Sequence, residues 1–135
     1  MQPLPDVRGS ARPYWSAALR GELQLPFCNA CGAAIFYPRD FCPSCAGRSV
    51  TWRRCSGRGT VYSYSVVHTH PIPEFKQRVP YTVALVTLEE GARLMTEIVD
   101  CLPETVRVGM AVVVGFRRLS DEVALPVFRP AGARA

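Results

Sequence analysis

Lysine is all but missing from this chain: of its 16 Lys and Arg residues only Lys76 is a lysine. With no lysine-rich stripe and a net charge of only +5, the basic surplus is too small to dictate a nucleic-acid or phosphate-bearing partner. Histidine is as scarce, with His68 and His70 alone, so a cysteine or serine nucleophile would find few bases to activate it. The sequence has no glycine-rich phosphate loop, no nucleophile elbow and no dinucleotide fingerprint. It also has no apolar run long enough to span a bilayer and no hydrophobic stretch at Met1–Arg12 that could serve as a secretion signal. The expected location is therefore the cytoplasm, where thiols stay reduced and paired cysteines favour a metal over a disulfide.

What is present is ordinary for a globular protein, 48% hydrophobic and 20% charged, which argues against extended disorder. Val, Leu, Ile, Tyr and Phe are dense from about residue 50 onward. The first 50 residues are poorer in them and need a staple to fold. The staple is two CxxC pairs, Cys28/Cys31 and Cys42/Cys45, separated by ten residues. Each pair places two soft sulfur ligands in a tight turn, and four such ligands suit a tetrahedral metal. Glycines after each pair are expected to take positive φ and turn amides toward the sulfurs. Cys42-Pro43-Ser44-Cys45-Ala46-Gly47 resembles a rubredoxin knuckle, so iron shares the geometry. Rubredoxins are small, strongly acidic and lack a second domain, and one structural zinc is the reading carried forward. Zinc in a closed four-sulfur shell has no open position to activate water. Four thiolates on one divalent ion would lower the net charge to roughly +3.

Around this module the pattern predicts short elements. Met1–Arg12 reads as a flexible arm. A helix is expected from Pro13 to about Leu23, with Trp15, Ala18, Leu19 and Leu23 on its apolar face. Ala33–Arg39 has the look of a hairpin strand. Further strands are expected at Val50–Cys55, Gly59–His68, Tyr81–Leu88, Arg93–Asp100 and Val112–Leu119, with Ala124–Arg129 as an edge. Glu89-Glu90-Gly91-Ala92 is a hairpin turn, and Pro103–Val106 one helical turn. The fold class is mainly β: a short N-terminal helix, a metal ribbon, and a small closed barrel of five or six strands.

The ordered combination of Cys28-Asn29-Ala30-Cys31-Gly32, Phe36-Tyr37-Pro38-Arg39, Cys42-Pro43-Ser44-Cys45, Gly59-Thr60-Val61-Tyr62-Ser63-Tyr64, Pro80–Val86 and Val108-Gly109-Met110 resembles a known family across about residues 13 to 130. It is similar to the zinc-ribbon OB-fold proteins associated with acyl-CoA enzymes, a domain-of-unknown-function group that partners thiolase-superfamily proteins. The resemblance implies a rubredoxin-like zinc ribbon and then a five-stranded OB-fold barrel. The implied division is an arm and helix over 1–26, the ribbon over 27–48, the barrel over 49–130 and a flexible tail over 131–135. It further implies a non-catalytic subunit in a heterotetramer with a thiolase-fold dimer. Such assemblies act as aldolases, thiolases or acyltransferases on acyl-CoA thioesters in lipid or steroid metabolism. All four family cysteines are kept.

Beside that resemblance, Arg53, Arg54, Arg58, Arg117 and Arg118 are candidates to neutralise CoA phosphates, since guanidinium matches phosphate oxygens two at a time. Solvated strand ends are the plainer account of each. The loop from His70 to Pro80 carries Phe75 on a proline-stiffened segment, as a partner contact or as packing over its own barrel. No residue is expected to be catalytic; Cys55 and Cys101 read as inert thiols near strand ends. The rival reading is single-strand nucleic-acid binding, with Tyr62, Tyr64 and His68 as stacking platforms. A rubredoxin-like electron carrier ranks below both.

Overall fold

The computed structural model describes residue 5 and residues 8–131, so half of the expected N-terminal arm and most of the C-terminal tail lie outside the described residues. The last residues of that arm are ordered into structure. Gly9–Ala11 forms a single 3-10 turn that runs straight into the first helix, and the Ser10 hydroxyl donates to Asp40 Oδ2 at 3.0 Å.

Pro13 starts the first helix, where its fixed φ costs nothing, and α1 spans Arg12–Leu19. It stops a turn short of Leu23. Gly21 takes a φ of +78°, and the amides of Glu22 and Gly21 donate back to the carbonyls of Ala17 and Ala18, each at 3.0 Å. That crossed pair is how a left-handed glycine closes a helix. The buried face is accordingly Tyr14, Ala17 and Ala18, with Trp15 and Leu19 only half-buried, and Leu23 is buried from the extended segment beyond. The two alanines let the helix lie close against the first and last strands, β1 (Gln24–Cys28) and β7 (Ala124–Pro130).

β1 pairs antiparallel with β2 (Val50–Arg54), from Gln24 opposite Arg54 to Cys28 opposite Val50. The two metal-bearing turns hang from this ladder. Val50–Arg54 is thus a strand, but its partner is β1 and not a barrel strand. The strand expected at Ala33–Arg39 does not form; only Ala34 bridges Phe27. Past that bridge Phe36 leaves the ladder for Tyr14 of α1, 5.9 Å between ring centroids, so aromatic packing under the helix outweighs further pairing.

The barrel is built from β3 (Arg58–Val67), β4 (Tyr81–Leu88), β5 (Arg93–Ile98), β6 (Ala111–Arg118) and β7 in the closed order β3-β4-β5-β7-β6. Ala124–Arg129, expected at an edge, is the closing strand. It runs antiparallel to β6 from Val112/Pro130 to Arg118/Ala124 and meets β5 in parallel at Ile98/Phe128. Closure leaves no edge to protect, and Phe128 is the largest fully buried side chain. Gly59 makes the seam possible, because it pairs with Leu88 on one side and Val112 on the other. A Cβ there would meet Thr87 O at 2.6 Å. β4 alternates strictly, sending Thr82, Ala84, Val86 and Leu88 inward. Leu25 and Phe27 of β1 join the same core as Val61, Val86, Leu94 and Phe128, so the strand that leads into the ribbon shares the barrel's interior. The loop before β4 contains a short helix, α2 (Pro73–Lys76). Among the described residues no helix is long and apolar enough to cross a membrane.

Candidate functional site

The two cysteine turns are copies of one hydrogen-bond pattern. Cys28 N–H donates to Ala33 O and receives Gly32 N–H on its own carbonyl; Cys42 N–H donates to Gly47 O and receives Ala46 N–H likewise. The residue four after the first cysteine takes positive φ in both, +79° at Gly32 and +62° at Ala46. In the second turn the glycine thus stands one place beyond the left-handed position expected of it. Gly47 is there for space: a Cβ on it would lie 3.3 Å from Cys45 Sγ and 3.4 Å from Cys28 Sγ. Ala46 bears the strain that glycine would relieve. Ala46→Gly is therefore expected to stabilise the metal-loaded protein by about 1 kcal/mol, read as a melting temperature a few degrees higher. An unchanged or lower melting point contradicts that account.

The four Sγ atoms lie within 4.8 Å of one another. Cys28 and Cys45 sulfurs are 3.5 Å apart and Cys31 and Cys42 sulfurs 3.6 Å apart, close to the edge of about 3.8 Å that a zinc–sulfur bond of about 2.3 Å gives a tetrahedron. The Cys31 amide, 3.5 Å from Cys28 Sγ, is the chief influence that pulls the Cys28 thiol down to about 6, toward the thiolate a metal needs. Cys28 and Cys42 are buried, while Cys31 and Cys45 face outward. The donor set fits one structural zinc, with no further metal ligand gathered beside it among the described residues.

Elsewhere the candidates separate. Cys55 is buried, and that burial, with the Glu90 carboxylate second, pushes its thiol up to about 12. Cys101 is half-buried. Arg53 lies over the Phe27 ring at 4.4 Å, while Arg54 and Arg118 are exposed. Arg58 pairs with Glu89 at 3.0 Å, and Arg117 with Glu97 at 2.8 Å. Arg58 sits opposite Val113, and Arg117 is four residues, about 13 Å, further along β6. The five arginines do not form one patch. Tyr62 and Tyr64 point outward, 52% and 39% exposed. Tyr62 sits in a β-bulge between Val61 and Ser63, with the Arg93 guanidinium 3.6 Å from its ring centroid. Phe75, in α2, is half-buried between His70 and Tyr81, at centroid distances of 4.8 and 6.5 Å.

The feature missed from sequence is an apolar band on the outside of the barrel. Met95 is 60% exposed and sits opposite Leu85. With Leu125 it forms the shared wall of two hollows. One, of about 350 Å³, is lined by Tyr14, Trp15, Phe36 and Tyr37; the other, of about 240 Å³, by Phe75, Tyr81 and Val83. In β5 both Leu94 and Met95 are apolar, so alternation alone does not tell which of them faces outward.

Comparison with known proteins agrees with this architecture. The family described as the ChsH2 rubredoxin-like zinc ribbon domain matches residues 15–51, and the ChsH2 C-terminal OB-fold domain matches residues 52–117. A "DUF35 domain-containing scaffold protein" of Methanocaldococcus jannaschii is 44% identical over 96 residues, covering 70% of this chain and 67% of that protein. A "Probable enoyl-CoA hydratase alpha subunit" of Thermomonospora curvata is 37% identical over 131 residues, 97% of this chain but only 40% of the longer protein. The solved structure described as "Ltp2-ChsH2(DUF35) aldolase" superposes with a TM-score of 0.84 at 38% identity, covering 95% of this chain and 99% of that one. With the four sulfurs gathered, the barrel closed and both halves matched in order, the chain belongs to the ChsH2/DUF35 family of zinc-ribbon OB-fold proteins.

Proposed function

We propose that this chain is a non-catalytic accessory subunit of a thiolase-superfamily enzyme acting on acyl-CoA thioesters, assembled with a thiolase-fold dimer as a heterotetramer. The observation that carries the reading is the apolar band through exposed Met95 and half-buried Leu125, which joins two hollows on the outside of the barrel. The relatives support it by name: one is a scaffold protein, one a hydratase subunit, and one chain belongs to an aldolase described by two components. The zinc, closed by four sulfurs, holds the ribbon together and performs no step on the thioester.

The test is association. Affinity capture of the native complex, followed by mass spectrometry, is expected to bring down a thiolase-fold chain in stoichiometric amount. Met95→Asp is expected to weaken that association by about 2 kcal/mol, roughly 30-fold, with little change in melting temperature, since the side chain is already in water. Phe75→Ala is expected to weaken it as well, with some loss of stability from the His70 and Tyr81 contacts. Full-strength association of Met95→Asp overturns the assignment of this face.

A second reading has one observation in its favour, the outward Tyr62 and Tyr64 on β3. Single-strand binding that collapses with moderate salt and is lost on removing both rings would favour that function.

A further inference from the structure

A third hollow, of about 320 Å³, opens between the Val99–Asp100 turn and the outer faces of β6 and β7. Its basic residues are Arg117 and Arg129, and its floor includes Gly115. The register puts all three on one face of the ladder, with Val113 opposite Arg129, Gly115 opposite Val127 and Arg117 opposite Leu125. A Cβ at Gly115 would come within 2.9 Å of Arg129 Nη1, so the guanidinium lies in the space that a side chain would fill. Among the described residues the Arg129 side chain makes no hydrogen bond or ion pair. Arg117 donates through Nη2 to Glu97, and its Nε is buried with no partner. Glu97 is itself shared with Arg78, and both line the neighbouring hollow beside Phe75; the carboxylate at this hollow is Asp100. Two guanidiniums, Arg117 and Arg129, therefore line the hollow against one carboxylate, Asp100.

We propose that this hollow is an oxyanion site in which Arg117 and Arg129 hold the phosphate oxygens of a small phosphorylated ligand. Guanidinium donors match phosphate two oxygens at a time. The concavity favours a small molecule over a carboxylate on a flat partner surface. Resting on the accessory-subunit reading, the ligand class is the phosphate-bearing nucleotide end of a CoA thioester.

The zinc-loaded full chain is titrated calorimetrically with inorganic pyrophosphate at constant ionic strength, and separately with CoA. One saturable site is expected for pyrophosphate. Arg129→Gln, at an exposed position, is expected to weaken it by about tenfold or more without lowering the melting temperature. Gly115→Ala keeps every charge yet displaces the guanidinium, and is expected to weaken binding comparably; Arg118→Gln, outside the hollow, is expected to leave it unchanged. CoA binding about tenfold tighter than pyrophosphate, with the same loss in Arg129→Gln, assigns the site to the CoA nucleotide. Equal affinities assign it to a free diphosphate. Failure to saturate at roughly millimolar pyrophosphate, or equal affinity in wild type and Arg129→Gln, overturns the site. The association assay above, run on Arg129→Gln, separates the two readings. Normal assembly with no pyrophosphate binding by the wild type removes the oxyanion site and leaves the accessory subunit standing.

Discussion

Cys28→Ser is expected to empty the metal site and melt the ribbon. The ribbon's own interior is Cys28, Ile35 and Cys42, with Ala33 and Val50 packed against them, so two of its three buried residues are metal ligands. Structural zinc in small modules is worth an apparent 10–16 kcal/mol, on the order of the whole stability of a domain at about 5–15 kcal/mol. The loss should not stay local. Cys28 ends β1, and Leu25 and Phe27 of that strand lie in the barrel's core. Loosening β1 uncovers those residues and the face of α1 packed on the strand. The expected result is a colourless wild type with one zinc per chain, and a mutant with no zinc, poor solubility and a melting temperature lower by roughly 10 °C or more. Cys101→Ser, at a half-buried thiol outside the cluster, is expected to keep its zinc. Stoichiometric zinc and an unchanged melting point in Cys28→Ser would sink the assignment.

The metal centre was legible in the sequence because its information is local: two turns, each within six residues, carry both ligands and backbone geometry. β3 to β6 were legible for a similar reason, since alternation and turn residues lie within each segment. β1 was not. Pro26 in Gln24–Cys28 argues against a strand, yet a two-stranded ladder is all edge and tolerates it. The role of β7 was misread because closure depends on the pairing of Ile98 with Phe128, 30 residues away. The helix stops short of Leu23 because Gly21, at positive φ, closes it. The hollow at Arg129 was invisible for a physical reason of the same kind. Its cradle is a glycine on the neighbouring strand, and nothing near residue 129 announces it. Arg117 was singled out, but its pairing with Glu97 is a long-range ion pair.

Alone, the chain is expected not to turn over acyl-CoA thioesters, and mixed with its thiolase-like partner it is expected to raise the partner's activity by orders of magnitude. The buried thiol and the two histidines are not arranged as a nucleophile and its base. Burial, reinforced by Glu90, puts the Cys55 thiol near 12, so at neutral pH it stays protonated. His70 is turned to its own loop, accepting the Ile72 amide on Nδ1 at 3.1 Å and stacking on Phe75. His68 is exposed at the end of β3. The metal's four positions are filled by sulfur. On the proposed function, the role left to this subunit is to fix the partner's loops and wall the acyl site, and such preorganisation can lower a barrier by several kcal/mol with no bond made by the helper. At about 1.4 kcal/mol per factor of ten, 3–4 kcal/mol corresponds to a rate gain of roughly 10²–10³. The measurement is a steady-state assay with this chain, with the partner, and with both. The gain should fall with Met95→Asp, which weakens assembly, and survive Cys55→Ser once folding is matched. Turnover by this chain alone at the rate of the mixture would end the accessory reading, and loss of that turnover in Cys55→Ser would make Cys55 the nucleophile.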